Sequence, residues 1–122
     1  MKRILLAEDE EILRMLIVDT FEEMDYLVEE AGDGQEALEY LEQHTYDLII
    51  IDYMMPFLTG LEVIQKAKPM IEQSQTKILM LSAKSQEYEQ NKVLEAGADF
   101  YMTKPFIPSQ LLQMVEGIFN GK

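Results

Sequence analysis

Four acids in a row, Glu8, Asp9, Glu10 and Glu11, follow directly on the apolar run Ile4-Leu5-Leu6-Ala7. Another acid, Asp52, closes the run Leu48-Ile49-Ile50-Ile51, Ser82 comes straight after Ile78-Leu79-Met80-Leu81, and Lys104-Pro105 comes shortly after Phe100-Tyr101-Met102. Carboxylates gathered at one spot suit a hard divalent cation, because Mg²⁺ takes one or two carboxylates and completes its shell with waters and phosphate oxygens. Asp9 and Asp52 can supply those ligands. Without a cation the same acids repel one another, so an affinity for metal is built into the charge arrangement. A carboxylate held between a metal and an ammonium such as Lys104 can attack a phosphoryl group, whose developing charge both cations stabilise. Each residue alone has a plainer role. Acids at a helix start favour its positive end and cap it, Asp52 could shape a turn, Ser82 could cap a helix and Lys104 could be a solvated loop residue. The question is whether the fold brings them to one place.

The apolar pattern says that it does. Residues 3–7 read as a strand, and Glu11 to Met24 as a helix with Ile12, Leu13, Leu16, Ile17 and Phe21 at helical spacing. Leu27 to Ala31 is a second strand. Asp33-Gly34-Gln35-Glu36 has the form of a capping box for a helix carrying Ala37, Leu38 and Leu41. Leu48 to Asp52 is a third strand, apolar enough to be covered on both faces as in a parallel sheet. A helix from Gly60 to Lys68 should end or kink at Pro69. Lys77 to Leu81 and Asp99 to Met102 complete the strands. Between them Gln86 to Ala96 reads as a fourth helix, with Gly97 as its C-terminal cap, and Pro108 to Phe119 as a fifth. Five strand–helix alternations predict a doubly wound α/β sheet, order 2-1-3-4-5, whose ligands bind beyond the carboxyl ends of the strands. Glu8 to Glu11, Asp52, Ser82 and Lys104 all fall at that rim, whereas strand 2 offers only Gly32 and Asp33.

With 122 residues the chain is read as one domain, residues 1–122. It has no cysteine, which excludes thiolate nucleophiles, disulfides and cysteine-based zinc sites. A net charge of -13, from 23 acids against 10 bases, argues against direct binding of nucleic acid or an anionic membrane and favours cations. Apolar runs such as Leu48–Ile51 fall far short of the roughly 20 residues that cross a bilayer, and the start of the chain lacks a signal-peptide core, so a cytoplasmic location is expected.

Leu6-Ala7-Glu8-Asp9, Asp52-Tyr53-Met54-Met55-Pro56 with Gly60, Leu81-Ser82-Ala83, Gly97-Ala98-Asp99, and Tyr101 ahead of Lys104-Pro105-Phe106 together resemble the response-regulator receiver domains of two-component signalling, chemotaxis regulators included. The likeness runs over essentially the whole chain. It implies a signalling switch in which a sensor histidine kinase or histidine phosphotransfer protein passes a phosphoryl group to Asp52. Mg²⁺ would be held by Asp9, Asp52 and the main-chain carbonyl of Met54, with Glu8 acting through water. Ser82 and Lys104 would each contact a phosphoryl oxygen, and the Lys104-Pro105 bond would be cis. Tyr101 would turn inward behind Ser82, remodelling the surface of helix 4, strand 5 and helix 5 for an output domain, an effector or a phosphorylation-dependent homodimer. Glu8 in place of Asp and Ser82 in place of Thr are the departures from the commonest pattern. Met54 and Lys84 should tune the lifetime of the phosphate.

Other classes fit less well. A flavodoxin-type module needs hydroxyls and glycines after strand 1, where four acids would repel phosphate. An aspartyl-phosphate hydrolase carries a second acid two residues after its nucleophile, where this chain has Met54, so the chain reads as a regulatory acceptor that promotes only its own phosphoryl transfer and dephosphorylation. A degenerate receiver that binds partners without phosphate is the remaining alternative, against which stands the intact set of acids, hydroxyl and lysine.

Overall fold

The computed structural model describes residues 1–83, 94 and 97–121. Five parallel strands, β1 (Lys2–Ala7), β2 (Tyr26–Ala31), β3 (Leu48–Asp52), β4 (Lys77–Ala83) and β5 (Phe100–Lys104), form one sheet in the order β2-β1-β3-β4-β5. Among the described residues the helices are α1 (Glu11–Phe21), α2 (Gly34–Gln43), α3 (Gly60–Ser74) and α4 (Pro108–Phe119). This is the expected flavodoxin-like architecture. The helix expected at Gln86 to Ala96, and Lys84 with it, lie outside the described residues.

The period-two geometry of strands splits the core into two layers. On one face Leu5, Ile49, Ile51, Ile78 and Met80 pack against Ala37 and Leu41 of α2 and Val63, Ile64, Ala67 and Ile71 of α3. On the other, Ile4, Leu6, Leu48, Ile50, Leu79 and Leu81 meet Ile17 and Phe21 of α1 and Leu111 and Val115 of α4. Every residue of β3 is buried, as a strand covered on both faces must be. Fully burying a side chain of this size contributes about 1.5–3 kcal/mol, so the central strands fix the register firmly.

Register carries the rim residues to one level. Ala7 pairs with Ile51, so Glu8 and Asp52 emerge side by side; Asp52 pairs with Leu81, Ser82 with Thr103 and Ala83 with Lys104. The last two strands are longer than the apolar pattern predicts. Main-chain pairing continues through the polar Ser82, Thr103 and Lys104, which places Ser82 and Lys104 within strands rather than after them.

Helix boundaries moved too. Helix α1 stops at Phe21, not Met24; three acids, Glu22, Glu23 and Asp25, crowd its negative end, and its last turn holds no base. Its apolar face is narrower than expected, since Leu13, Ile17 and Phe21 pack on the sheet side while Ile12 and Leu16, with Met15, stay exposed. Helix α3 continues through Pro69 to Ser74. The proline forfeits one intrahelical bond, but buried Ile71 holds the following turn on the core and the Ser74 hydroxyl donates to the Met70 carbonyl at 2.9 Å.

Helix α2 opens on the predicted cap, in which the Asp33 side chain accepts from Glu36 N at 2.8 Å. Glu36 reaches back one residue further than a capping box requires, accepting from Gly32 N at 3.0 Å. Helix α3 has a full box, with Glu62 N donating to Thr59 Oγ1 at 3.1 Å and Thr59 N to Glu62 Oε1 at 2.9 Å. This box and the Gly60 N–H, which donates to the Tyr53 carbonyl at 2.8 Å, clamp the loop that follows Asp52. No β-carbon fits at residue 60: it would be driven into the carbonyl oxygen of Asp52 and against the Met80 sulfur. We therefore expect G60A to lose about 2 kcal/mol or more of stability, in the range of overpacked cores, as a shift of the urea midpoint. A midpoint equal to the parent's would show that the loop yields freely.

Candidate functional site

Of the rim residues, Glu8 is the most enclosed. Its side chain is 0% exposed. The strand hydrogen bonding runs one residue past β1, because Glu8 N donates to the Ala31 carbonyl at 3.0 Å, and the carboxylate Oε2 accepts from Glu10 N at 3.1 Å. Asp52, 6% exposed, points from the end of β3 to the same spot. Lys104, the last residue of β5, reaches in from across β4: its Nζ donates to Asp52 Oδ2 at 3.0 Å and lies 2.8 Å from Glu8 Oε1. The Lys104–Pro105 peptide bond is cis. Asp9 remains exposed at the rim, yet one oxygen each of Glu8, Asp9 and Asp52 lie within 4.8 Å of one another.

Two buried carboxylates thus face one ammonium, and the site is short of positive charge. Burial pushes the Glu8 carboxyl up to about 7; contact with Lys104 pulls the other way, and the charge of Asp52 adds to the rise. Burial likewise raises Asp52, against the charge and hydrogen bond of Lys104. At Lys104 burial opposes the ammonium, but the two carboxylates outweigh it and hold the pKa above the usual lysine range. Glu8 Oε1 is buried against the ammonium, which it pairs with at 2.8 Å. An all-oxygen donor set with a charge deficit fits a divalent cation such as Mg²⁺.

Ser82 is 4% exposed on β4, and its hydroxyl donates to the Ala83 carbonyl at a long 3.4 Å. Tyr101 pairs with Met80 and Thr103 with Ser82, so Tyr101 lies on the same sheet face as Ser82, half-buried against the α2–α3 side of the core. Met54, two residues past Asp52, is 54% exposed.

A model of the response regulator receiver domain family matches residues 4–116. The chain belongs to that family. Receiver domains are the phosphorylation-controlled modules of two-component response regulators, and phosphorylation and Mg²⁺ binding are typical of them. The chain is 41% identical over 119 residues to the alkaline phosphatase synthesis transcriptional regulatory protein PhoP of Bacillus subtilis, covering 98% of this chain and 49% of PhoP. It is 37% identical over 120 residues to the response regulator ArlR of Staphylococcus aureus, covering 98% and 53%. The chain thus spans about half the length of the curated relatives it matches. Among solved structures it is similar to the receiver domain of Francisella response regulator 1452, with a TM-score of 0.87, 31% identity and 98% of each chain covered. The CheY-like receiver domain protein of Methanospirillum hungatei gives a TM-score of 0.90 at 27% identity, with 99% of this receiver and 95% of that chain covered.

The receiver fold therefore brings Glu8, Asp9, Asp52 and Lys104 together, with Ser82 on the neighbouring strand. Two features escaped the sequence reading. Glu8 is the one of the four consecutive acids that sits wholly enclosed, against Lys104. Arg14, unremarked in the sequence, donates from Nη1 to the Glu8 main-chain carbonyl at 2.7 Å. A base near the positive end of a helix is locally unfavourable, and that conflict was the available signal.

The raised Glu8 pKa has a definite sign. Between about pH 4.5 and 7 the folded protein retains a proton that the unfolded chain releases, so stability in metal-free buffer falls as pH rises through that window and levels off above it. Asp52, raised for the same reason, acts in the same direction. E8Q should flatten the slope and be more stable than the parent at pH 8 by roughly 1–3 kcal/mol. Urea denaturation in EDTA at several pH values checks this, and an unchanged slope in E8Q would assign it to other groups.

Proposed function

We propose that Asp52 is the phosphoacceptor of a two-component switch, with a histidine kinase or histidine phosphotransfer protein as donor. The observation that carries this reading is the Asp52 carboxylate held 3.0 Å from the Lys104 ammonium inside the acidic cluster. An oxygen of Asp52 attacks the donor's phosphorus, the bond from phosphorus to the imidazole nitrogen breaks, and Asp52 carries the phosphoryl group as an acyl phosphate. Asp9, Asp52 and the Met54 main-chain carbonyl would hold Mg²⁺, with Glu8 acting through water. The metal would supply positive charge against the phosphoryl oxygens. Lys104 would transfer its ammonium from the free carboxylate to a phosphoryl oxygen, a charge-assisted contact. Ser82 would release its long bond to Ala83 and donate to another oxygen.

The donor must approach a carboxylate that is itself almost covered, so its contacts fall on the surrounding surface. Exposed apolar side chains there, Ile12 on α1, Met54 and Phe57 after β3 and Ile107 after β5, offer that contact. Movement of Ser82 would draw Tyr101 inward along their shared face and remodel the surface of β5, α4 and the segment between β4 and β5. That surface would then address an output domain, an effector or a second copy of the chain in the cytoplasm, with neither nucleic acid nor membrane bound by the domain itself.

A small phosphodonor with Mg²⁺ should modify the parent at one residue and leave D52N unmodified by mass spectrometry; equal modification of D52N would sink the assignment. Lifetime depends on a water lined up opposite the leaving carboxylate. The Met54 thioether accepts hydrogen bonds only weakly and its bulk would cover the approach, so M54N should speed loss of phosphate about tenfold, equivalent to roughly 1.4 kcal/mol of barrier. Decay of the phosphorylated protein after removal of donor measures this, and equal or slower decay in M54N would refute the role of Met54. Lys84 stands in the same proposal as a second residue affecting lifetime.

A further inference from the structure

One base is set among the acids that follow β1. The Arg14 side chain, largely covered, bridges two segments: Nη1 donates to the Glu8 main-chain carbonyl at 2.7 Å and Nε to Glu30 Oε1 at 3.2 Å. Glu8 is thereby gripped on both of its peptide units. Its N–H donates to Ala31, its carbonyl accepts from Arg14, and both anchors lead to the end of β2.

The grip answers a specific stress. Carboxylate oxygens of Glu8, Asp9 and Asp52 lie within 4.8 Å of one another, and like charges at that range push apart. Asp52 closes a strand paired with β1 on one side and β4 on the other, so it cannot retreat. The loop carrying Glu8 and Asp9 is the element able to yield. A guanidinium bond to a carbonyl is charge-assisted and correspondingly strong, and at 2.7 Å this one is short.

We propose that Arg14 is a positioning residue for the cation site: it pins the Glu8 carbonyl so that the Glu8 and Asp9 carboxylates stay aimed at Asp52 before metal arrives. This rests on the reading of the cluster as a Mg²⁺ site. Charge alone argues the opposite outcome, because a guanidinium beside the cluster repels an incoming cation and its neutralisation would tighten binding. Positioning and electrostatics thus differ in sign.

The test is a calorimetric titration of the whole chain with Mg²⁺ alone, paired with thermal unfolding in EDTA. R14Q should bind Mg²⁺ about tenfold more weakly, equivalent to about 1.4 kcal/mol. E30Q, which spares the bond to Glu8, should stay within about threefold of the parent, below about 0.7 kcal/mol. Equal or tighter binding by R14Q overturns the proposal, as does a lowered unfolding midpoint with an unmoved Kd, the pattern of a merely structural residue. If R14Q does not fold, R14K carries the same test, because it keeps the charge but loses the planar fork: weaker binding supports positioning, and equal or tighter binding overturns it. D9A serves as the control that removes a ligand. A parent that binds no Mg²⁺ brings down the cation-site reading and this proposal together, whereas a parent that binds, with R14Q unmoved, brings down this proposal alone.

Discussion

Enclosing two carboxylates under the rim of a parallel sheet is unfavourable unless a cation is enclosed with them, since burial penalises each charge and the two acids penalise one another. Lys104 answers part of that demand, and the geometry around it follows from the need to bring it there. Its ammonium must cross β4 to meet Glu8 and Asp52, so the strand between them must present no bulky side chain at that level. Ser82 and Ala83 occupy that stretch of β4. The residual charge deficit makes the rim receptive to a divalent cation, which meets an electrostatic imbalance already in place.

The same constraint reaches into the connections. The loop after Asp52 is tied down by the Thr59–Glu62 box and by the Gly60 N–H, and residue 60 lies too close to the Asp52 main chain for any side chain. Asp52 is thus immobile at its backbone while its carboxylate faces changeable partners. On the other side of the cluster the Glu8 loop depends on contacts with β2. A carboxylate on a fixed backbone and a tethered pair of acids form one site.

Much of this was legible in the sequence. Strands covered on both faces announce themselves as unbroken apolar runs, and β1 and β3 were placed within a residue or two; their order followed from the alternation with helices, and the rim residues from what stands after each run. The ends of β4 and β5 were not legible, because Ser82, Thr103 and Lys104 extend them by main-chain pairing, which leaves no mark in side-chain polarity. The passage of α3 through Pro69 was hidden similarly, since the burial of Ile71 is a tertiary fact that outweighs a local breaker. Hidden too was the inner placement of Glu8. Nothing in four consecutive acids says which one turns inward; that follows from register with β3 and from the arrival of Lys104.

The order of elements along the chain has a consequence for how the molecule folds. β1 sits inside the sheet, flanked by β2 and β3, and the contact between Asp52 and Lys104 spans 52 residues. Contacts of such long sequence separation form late, because the loop-closure entropy must be met before they are rewarded. As a chain emerges N-terminus first, its acids are laid down early and their lysine comes with the final strand. Until β5 docks, Glu8 and Asp52 share a space with no ammonium to face, so the outer edge of the sheet completes the charge balance at its centre.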